Sequence, residues 1–197
     1  MKRRPTLIVF VKAPRLGTVK TRLARAIGQS AAWRFYRETT ATLLARVGWN
    51  PRWRTVLAVT PDAFASKGRF WPRAFARSPQ GRGDIGRRMA RSIADLGHGP
   101  TVLIGSDIPR IALRHIEDAF RALARADIVF GPAEDGGFWL VGTREPGILR
   151  RAFRDIRWSS ATTLAEARAN LEGKRVALVA TLADVDDAAA LARISRS

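Results

Sequence analysis

An apolar run followed by a basic loop, Thr6-Leu7-Ile8-Val9-Phe10-Val11 and then residues 12–22, decides the fold class. A short, continuous apolar run of this kind predicts a strand that is covered on both faces, as in a parallel sheet. The loop contains a proline and a glycine and leads into a helical pattern. A strand, a loop and a helix in this order are the repeating unit of an α/β fold.

The same alternation continues along the chain. Residues 55–59 and 101–105 predict further buried strands, and apolar residues at spacings of three and four predict helices over residues 30–47 and 85–96. We expect one α/β domain over residues 1–197 with a mainly parallel sheet. The remaining predicted elements are a weak strand at 73–77, a helix beginning at Pro109, strands at 127–130, 138–141 and 175–179, and helices at 161–170 and 188–194.

The composition excludes several classes of protein. The chain of 197 residues has no cysteine, which excludes a disulfide scaffold, a cysteine-ligated metal and a thiol nucleophile. No apolar run approaches the roughly 18 residues that a membrane span needs. The basic start of the chain resembles a signal peptide, but its apolar run is short and ends at Lys12. We therefore predict a cytoplasmic protein whose first strand is part of the mature fold.

The charge is distributed unevenly. The formal net charge is +18, and residues 1–100 contain 21 basic and 4 acidic side chains, whereas residues 101–197 contain 14 and 13. Clustered Lys and Arg favour a polyanionic partner, because they neutralise phosphates. An arginine-rich compositional bias is the favoured explanation of the total charge, but it leaves the asymmetry between the halves unexplained.

Residues 12–22 suit a phosphate-binding loop. Backbone N–H groups and a helix start face an anion in such loops, while Lys12, Lys20 and Arg22 supply positive charge. The segment 80–88 has three glycines before a helix and allows close approach of a ligand, with Gln80 available to read a base edge. The alternatives are a solvated basic turn for the first loop, and a glycine-rich turn that ends at Asp84 as a helix N-cap for the second.

Carboxylates follow the later strands. Asp107 comes directly after the strand at 101–105 and suits Mg²⁺ or Mn²⁺, which take oxygen ligands and bridge phosphates; the alternative is an N-cap for the helix at Pro109. The Gly-Gly pair at 136–137 alone would predict a hairpin turn. A turn does not require Glu134 and Asp135 beside it, so these two residues suit substrate contact or base chemistry. The acidic run 184–187 suits a helix start or the completion of the Asp107 site.

Three motifs together resemble the DUF2064 family. They are Val11-Lys12-Ala13-Pro14 with Gly17-Thr18-Val19-Lys20-Thr21-Arg22-Leu23, then Gly105-Ser106-Asp107-Ile108-Pro109, then Gly131-Pro132-Ala133-Glu134-Asp135-Gly136-Gly137. Members are glycosyltransferase-like proteins of the GT-A, nucleotide-diphospho-sugar transferase superfamily, and are related to 2-phospholactate/phosphoenolpyruvate guanylyltransferases. The resemblance implies a single-domain, Rossmann-like, three-layer α/β/α fold with about seven strands, one of them antiparallel.

The resemblance also implies roles for individual residues. The first loop would hold the nucleotide or its diphosphate, the segment from Gln80 would line the nucleotide pocket, and Asp107 would bind Mg²⁺ or Mn²⁺ with Asp184 and Asp186. Glu134 or Asp135 would orient or deprotonate an acceptor. The candidate nucleotide-binding residues are Lys12, Ala13, Pro14, Gly17, Lys20, Arg22, Gln80, Gly83 and Asp84, and the candidate substrate contacts are Gly136, Gly137 and Ser159.

Three functions are compatible with these features. The first is a metal-dependent transferase that uses a nucleotide or sugar-nucleotide donor, with glycosyl transfer to a small acceptor as the expected reaction. The second is a nucleotidyltransferase, which releases pyrophosphate. The third, a basic nucleic-acid-binding module, requires aromatic stacking platforms in the basic half and is disfavoured because no nucleic-acid motif is present.

Overall fold

Seven strands form one sheet in the computed structural model, which describes residues 4–67 and 70–183. The strands are β1 (Thr6–Lys12), β2 (Arg54–Thr60), β3 (Ala76–Pro79), β4 (Thr101–Ile104), β5 (Ile128–Pro132), β6 (Phe138–Thr143) and β7 (Val176–Leu178). Their order in the sheet is β3-β2-β1-β4-β6-β5-β7, in which β6 is antiparallel to both neighbours and every other pair is parallel. The predicted α/β fold with one antiparallel strand is confirmed.

Helices cover both faces of this sheet. Side chains alternate across a strand, so Leu7 and Val9 of β1 join one core layer while Ile8 and Phe10 join the other. The helices are α1 (Thr21–Ile27), α2 (Gln29–Leu43, continued by a π-helical turn over Leu44–Gly48), α3 (Ala63–Lys67), α4 (Ile85–Leu96), α5 (Leu113–Ala122), α6 (Ile148–Ala152) and α7 (Thr163–Ala169). The first layer is completed by α2 and α5, and the second by α4, α6 and α7.

The sheet topology brings the candidate loops to one edge. The parallel strands β1, β2 and β4 start in register, so their carboxyl ends meet at the same edge of the sheet. Because β6 is antiparallel to β4, its first residues lie at this edge too, together with the end of β5. The loops after β1, β3 and β4 and the turn between β5 and β6 therefore share one edge, as ligand-binding loops of α/β sheets do.

The predicted start of the fifth helix at Pro109 is wrong. The chain instead makes a turn that buries Ile108 and Ile111, and α5 begins at Leu113. The backbone N–H of Ala112 donates to Nδ1 of His115 at 3.1 Å and so stabilises the first turn. Burial, and then the charge of Arg114, lowers the pKa of His115, which keeps this imidazole neutral in its capping role.

Other boundaries differ in smaller ways. The weak strand expected at residues 73–77 lies at Ala76–Pro79, because that stretch pairs with Val56–Val59 of β2. The short helices α3 and α6 have too few residues to give a periodic pattern and were not predicted. The helix expected at residues 188–194 lies outside the described residues. No helix in the described ranges is both long and apolar enough to span a bilayer.

Candidate active site

A cleft of about 590 Å³ opens at this edge of the sheet. Two groups of side chains with different chemistry line it. The cationic side consists of Lys12, Lys20, Arg22, Ser106 and Asp107, and the apolar side consists of Ile85, Met89, Phe138 and Trp158 together with Arg88. The cleft therefore offers charge on one side and flat or aliphatic surface on the other.

Aromatic residues of α2 fix the loop on the cationic side. The Tyr36 hydroxyl accepts the Lys12 N–H at 2.8 Å and donates to the Lys12 carbonyl oxygen at 2.9 Å. The Trp33 indole N–H donates to the Pro14 carbonyl oxygen at 2.6 Å. The Arg37 guanidinium also lies over the Trp33 ring, 4.6 Å from its centroid. Trp33 therefore has a structural role and is not a free stacking platform for a base.

Lys20 places a buried ammonium beside Asp107. The side chain of Lys20 is 4% exposed and that of Asp107 is 48% exposed, and Nζ lies 3.3 Å from Oδ2. Lys20 has a φ of 47°, in the left-handed region that non-glycine residues rarely adopt. Such strain is concentrated at functional sites, where surrounding contacts hold it.

Asp107 does not cap a helix. The next helix begins six residues later and has its own cap at His115, so the helix N-cap interpretation of Asp107 is excluded. The Ser106 hydroxyl lies 3.5 Å from Asp107 Oδ1 and 3.4 Å from the Tyr36 hydroxyl. Burial, and then the charge of Asp107, raises the pKa of Tyr36 to about 12, so the phenol stays neutral at physiological pH.

Gln80, in the segment after β3, does not have the base-contacting role that the sequence predicted. Gln80 is 2% exposed, and its amide nitrogen donates to the carbonyl oxygens of Ala58 at 2.9 Å and Val11 at 3.3 Å. Both amide hydrogens are thus engaged inside the protein, and the prediction that Gln80 reads a base edge is wrong. Its carbonyl oxygen instead accepts from Nη1 of Arg88 at 2.8 Å.

Asp84 is the N-cap of α4, which was the alternative interpretation of this residue in the sequence. Its Oδ1 accepts the Arg87 N–H at 2.8 Å and caps α4, and its Oδ2 lies 3.4 Å from the Arg87 side chain. Gly83 has a φ of 110° and closes the turn before this cap. Neither residue lines the cleft, so the structure does not support the predicted contact of Asp84 and Gly83 with a nucleotide.

The turn between β5 and β6 contributes one carboxylate to the cleft. Asp135 lines it, with Oδ1 accepting the Gly137 N–H at 2.9 Å. Glu134 is exposed and lies outside the cleft lining. Gly136 has a φ of 85°, and a Cβ there would lie 2.0 Å from the Ala161 carbonyl oxygen, so its absent side chain allows this turn to pack on the 157–163 loop.

The 157–163 loop positions Trp158 and Ser159 at the cleft. Glu166 accepts hydrogen bonds at 2.7 Å from the Arg157 backbone, the Arg157 guanidinium and the Thr162 hydroxyl, and these bonds, the backbone one first, lower its pKa to about 2. Trp158 packs over α4, where a Cβ on Gly86 would lie 2.2 Å from its ring. Gly86 is therefore needed for this contact.

The structure brings together only part of the predicted set. Asp184 and Asp186 lie outside the described residues, and within the described ranges no group of three metal-ligating side chains occurs. The predicted residues that line the cleft are Lys12, Lys20, Arg22, Gln80, Asp107, Asp135, Gly137 and Ser159, whereas Ala13, Pro14, Gly17, Gly83, Asp84, Glu134 and Gly136 do not line it.

Two cleft residues escaped sequence reasoning. Tyr36 looks like a core aromatic in the sequence, and it lies far along the chain from Lys12, whose backbone it binds. Arg88 is one of several arginines in its segment. A helical spacing of four from the Asp84 cap was the available signal, since it puts Arg88 in the first turn of α4.

Sequence comparison assigns the chain to a family. The family described as "Uncharacterized protein conserved in bacteria (DUF2064)" matches residues 43–160. The chain belongs to the DUF2064 family. No curated protein matches its sequence significantly.

Solved structures extend the DUF2064 assignment to a larger fold group. A candidate nucleotide-diphospho-sugar transferase from Desulfovibrio desulfuricans G20 has a TM-score of 0.86 and 27% identity, with 98% of this chain and 87% of that chain covered. A CMP:2-keto-3-deoxy-manno-octonic acid synthetase complexed with CTP has a TM-score of 0.61, 9% identity and coverages of 98% and 97%. Rv0371c of Mycobacterium tuberculosis H37Rv, in complex with manganese, has a TM-score of 0.57, 16% identity and coverages of 98% and 99%.

Proposed function

We propose that this DUF2064 protein is a metal-dependent transferase that binds a nucleotide-activated donor in the cleft and transfers a glycosyl group to a small acceptor. The observation that carries the proposal is the Lys20–Asp107 pair, which stands in one cleft with an apolar side suited to a flat ring. The names of the structural relatives, a nucleotide-diphospho-sugar transferase and a CTP-bound synthetase, support a donor of this class.

The donor diphosphate lies on the cationic side. Lys12, Lys20 and Arg22 line it, and charge-assisted hydrogen bonds from such groups are stronger than neutral ones. Negative charge grows on the departing diphosphate in the transition state, and preformed cations stabilise it there more than in the ground state. These three side chains therefore both bind the donor and favour its cleavage.

The oxygen ligands at this end of the cleft fit a Mg²⁺ or Mn²⁺ ion that binds together with the nucleotide. Mg²⁺ is usually bound through one or two carboxylates plus substrate phosphates, and Asp107 offers a half-exposed carboxylate beside the phosphate loop. Leu182 hydrogen-bonds to Pro132 at this edge, and Asp184 and Asp186 follow it closely in sequence, which supports them as further ligands. A bound ion would neutralise charge on the diphosphate.

Asp135 is the acceptor-side carboxylate in this proposal. Its Oδ1 is engaged with Gly137, so Oδ2 is the atom that would orient or deprotonate an acceptor hydroxyl. Gly137 and Ser159 line the cleft beside it and are proposed to contact the acceptor. Glu134 is the weaker candidate because it lies outside the cleft lining.

A ligand screen with product analysis tests the function. Nucleoside diphosphates and sugar nucleotides, each with and without Mn²⁺, are expected to raise the melting temperature of the protein, because ligands that bind only the folded state stabilise it. Asp107→Asn should abolish the manganese-dependent part of the shift, whereas Asp118→Asn, on the surface of α5, should retain it.

Two outcomes revise or reject the proposal. Absence of any shift with nucleoside diphosphates and sugar nucleotides rejects it. Release of pyrophosphate from a nucleoside triphosphate, rather than of a nucleoside diphosphate from a sugar nucleotide, replaces glycosyl transfer with nucleotidyl transfer.

A further inference from the structure

Arg88 lines the cleft, and no carboxylate in the described part of the chain pairs with it. Among the described residues its guanidinium has one hydrogen-bond partner, the neutral carbonyl oxygen of Gln80, at 2.8 Å from Nη1. Its Nε is buried and has no partner in the described ranges. A buried donor without a partner costs about 1–3 kcal/mol, and among the described residues no carboxylate compensates this guanidinium. Arg88 lines the cleft, so its terminal N–H groups are available to an acceptor that a ligand supplies.

Gln80 fixes the direction in which Arg88 points. The amide nitrogen of Gln80 is anchored on carbonyl oxygens of two neighbouring strands, Ala58 of β2 and Val11 of β1. With its hydrogens committed there, Gln80 can present only its carbonyl oxygen to Arg88. The sheet edge, the buried amide and the guanidinium thus form a fixed chain of hydrogen bonds that ends in the cleft.

The surroundings of Arg88 suit a flat ring better than a phosphate. Ile85 and Met89 of the same helix line the cleft beside it, and Trp158 covers the first turn of that helix over Gly86. A phosphate needs several donors, and the cationic side already supplies Lys12, Lys20 and Arg22. An apolar surface with one donor-only group at its edge matches a nucleobase that carries a carbonyl group.

We propose that Arg88 selects donors with a keto base, guanine or uracil, by donating to the exocyclic oxygen O6 or O4; this rests on the proposed nucleotide donor. Arginine has five N–H donors and no acceptor. Adenine and cytosine carry amino donors, N6 and N4, at the positions where guanine and uracil carry those oxygens. There the N–H groups of Arg88 would meet the amino group of adenine or cytosine, and two hydrogen-bond donors repel each other. Arg88 therefore disfavours the amino bases. Gln80 is a positioning residue for this selection.

Calorimetric titration with pairs of nucleoside diphosphates of equal ring size tests the inference. GDP is compared with ADP, and UDP with CDP, on the wild-type protein. The better bound keto nucleotide should bind at least about tenfold more tightly than its amino counterpart, as a good base contact provides. Arg88→Gln should reduce this ratio to about one, because glutamine can both donate and accept.

Two further variants separate specificity from general effects. Arg87→Gln, on the exposed neighbour that pairs with Asp84, is the matched control and should keep the wild-type ratio. Gln80→Leu frees the guanidinium and should lower the ratio while leaving detectable nucleotide binding. Melting temperatures check that each variant is folded.

Three results are decisive. Equal affinities for keto and amino nucleotides on the wild type overturn the inference. A uniform loss of affinity for all four nucleotides in Arg88→Gln also overturns it, because that pattern belongs to a phosphate or acceptor contact. No binding of any nucleoside diphosphate to the wild type rejects the proposed function itself, so the two failures are distinguishable.

Discussion

The two sides of the cleft hold their side chains by different means. On the cationic side, charged groups are held by one another and by a strained backbone, as in the Lys20–Asp107 pair. On the apolar side, Trp158 depends on the missing side chain of Gly86, and Arg88 depends on the buried amide of Gln80. The cationic side suits a charged ligand, whose negative charge can replace the ion pair between Lys20 and Asp107. The apolar side suits a flat ligand with hydrogen-bond acceptors, which Trp158 and Arg88 would select by shape and by hydrogen bonding.

Removing the buried ammonium should have the largest effect. Lys20→Met deletes a cation beside Asp107 and leaves that carboxylate facing the donor phosphates, so we expect nucleoside diphosphate affinity to fall about 100-fold in calorimetric titration. The exposed Lys174→Met is the matched control and should bind like the wild type. An unchanged affinity in Lys20→Met would place the diphosphate elsewhere.

A methyl group on Gly86 should have an intermediate effect. Gly86→Ala forces Trp158 off α4, and overpacking of this kind costs about 1–3 kcal/mol of unfolding free energy. We expect roughly tenfold weaker nucleotide binding, together with an altered tryptophan emission spectrum. Gly147→Ala is the control, since a Cβ there meets nothing within 4 Å. Wild-type affinity in Gly86→Ala would show that the base does not use the Trp158 surface.

Loss of the Tyr36 hydroxyl should have the smallest effect on binding, a change of a few-fold. Tyr36→Phe removes the two hydrogen bonds to Lys12 and should lower the unfolding free energy by about 1–3 kcal/mol at pH 8. The folded-state pKa of Tyr36 is raised from 10.0 to about 12, so its stabilising contribution is present below pH 10 and is lost as the pH approaches 12.

Denaturant titration of both proteins checks this pH dependence. The stability difference between the wild type and Tyr36→Phe should shrink as the pH rises from 10 to 12, because the unfolded wild-type phenol ionises first. A constant difference over that interval contradicts the buried, neutral phenol.

The cationic side was largely predictable from sequence and the apolar side was not. A basic loop directly after a buried strand, and Asp107 directly after another, are local signals that the sheet topology brings together. Trp158 packs on the helix that carries Arg88 because Gly86 lacks a side chain, and this contact between positions far apart in the chain has no local pattern. The roles expected for Gln80 and Asp84 failed for a related reason: each side chain has an internal hydrogen-bond partner that local sequence does not reveal.

A crystal structure of the protein with GDP and Mn²⁺, with anomalous scattering recorded for manganese, tests the central claim most directly. The diphosphate should contact Lys20 and Arg22, the manganese signal should stand beside Asp107, and the guanine should lie on Trp158 with O6 toward Arg88. A guanine on the cationic side, or a diphosphate outside the cleft, would contradict the assignment of phosphate to one side and base to the other.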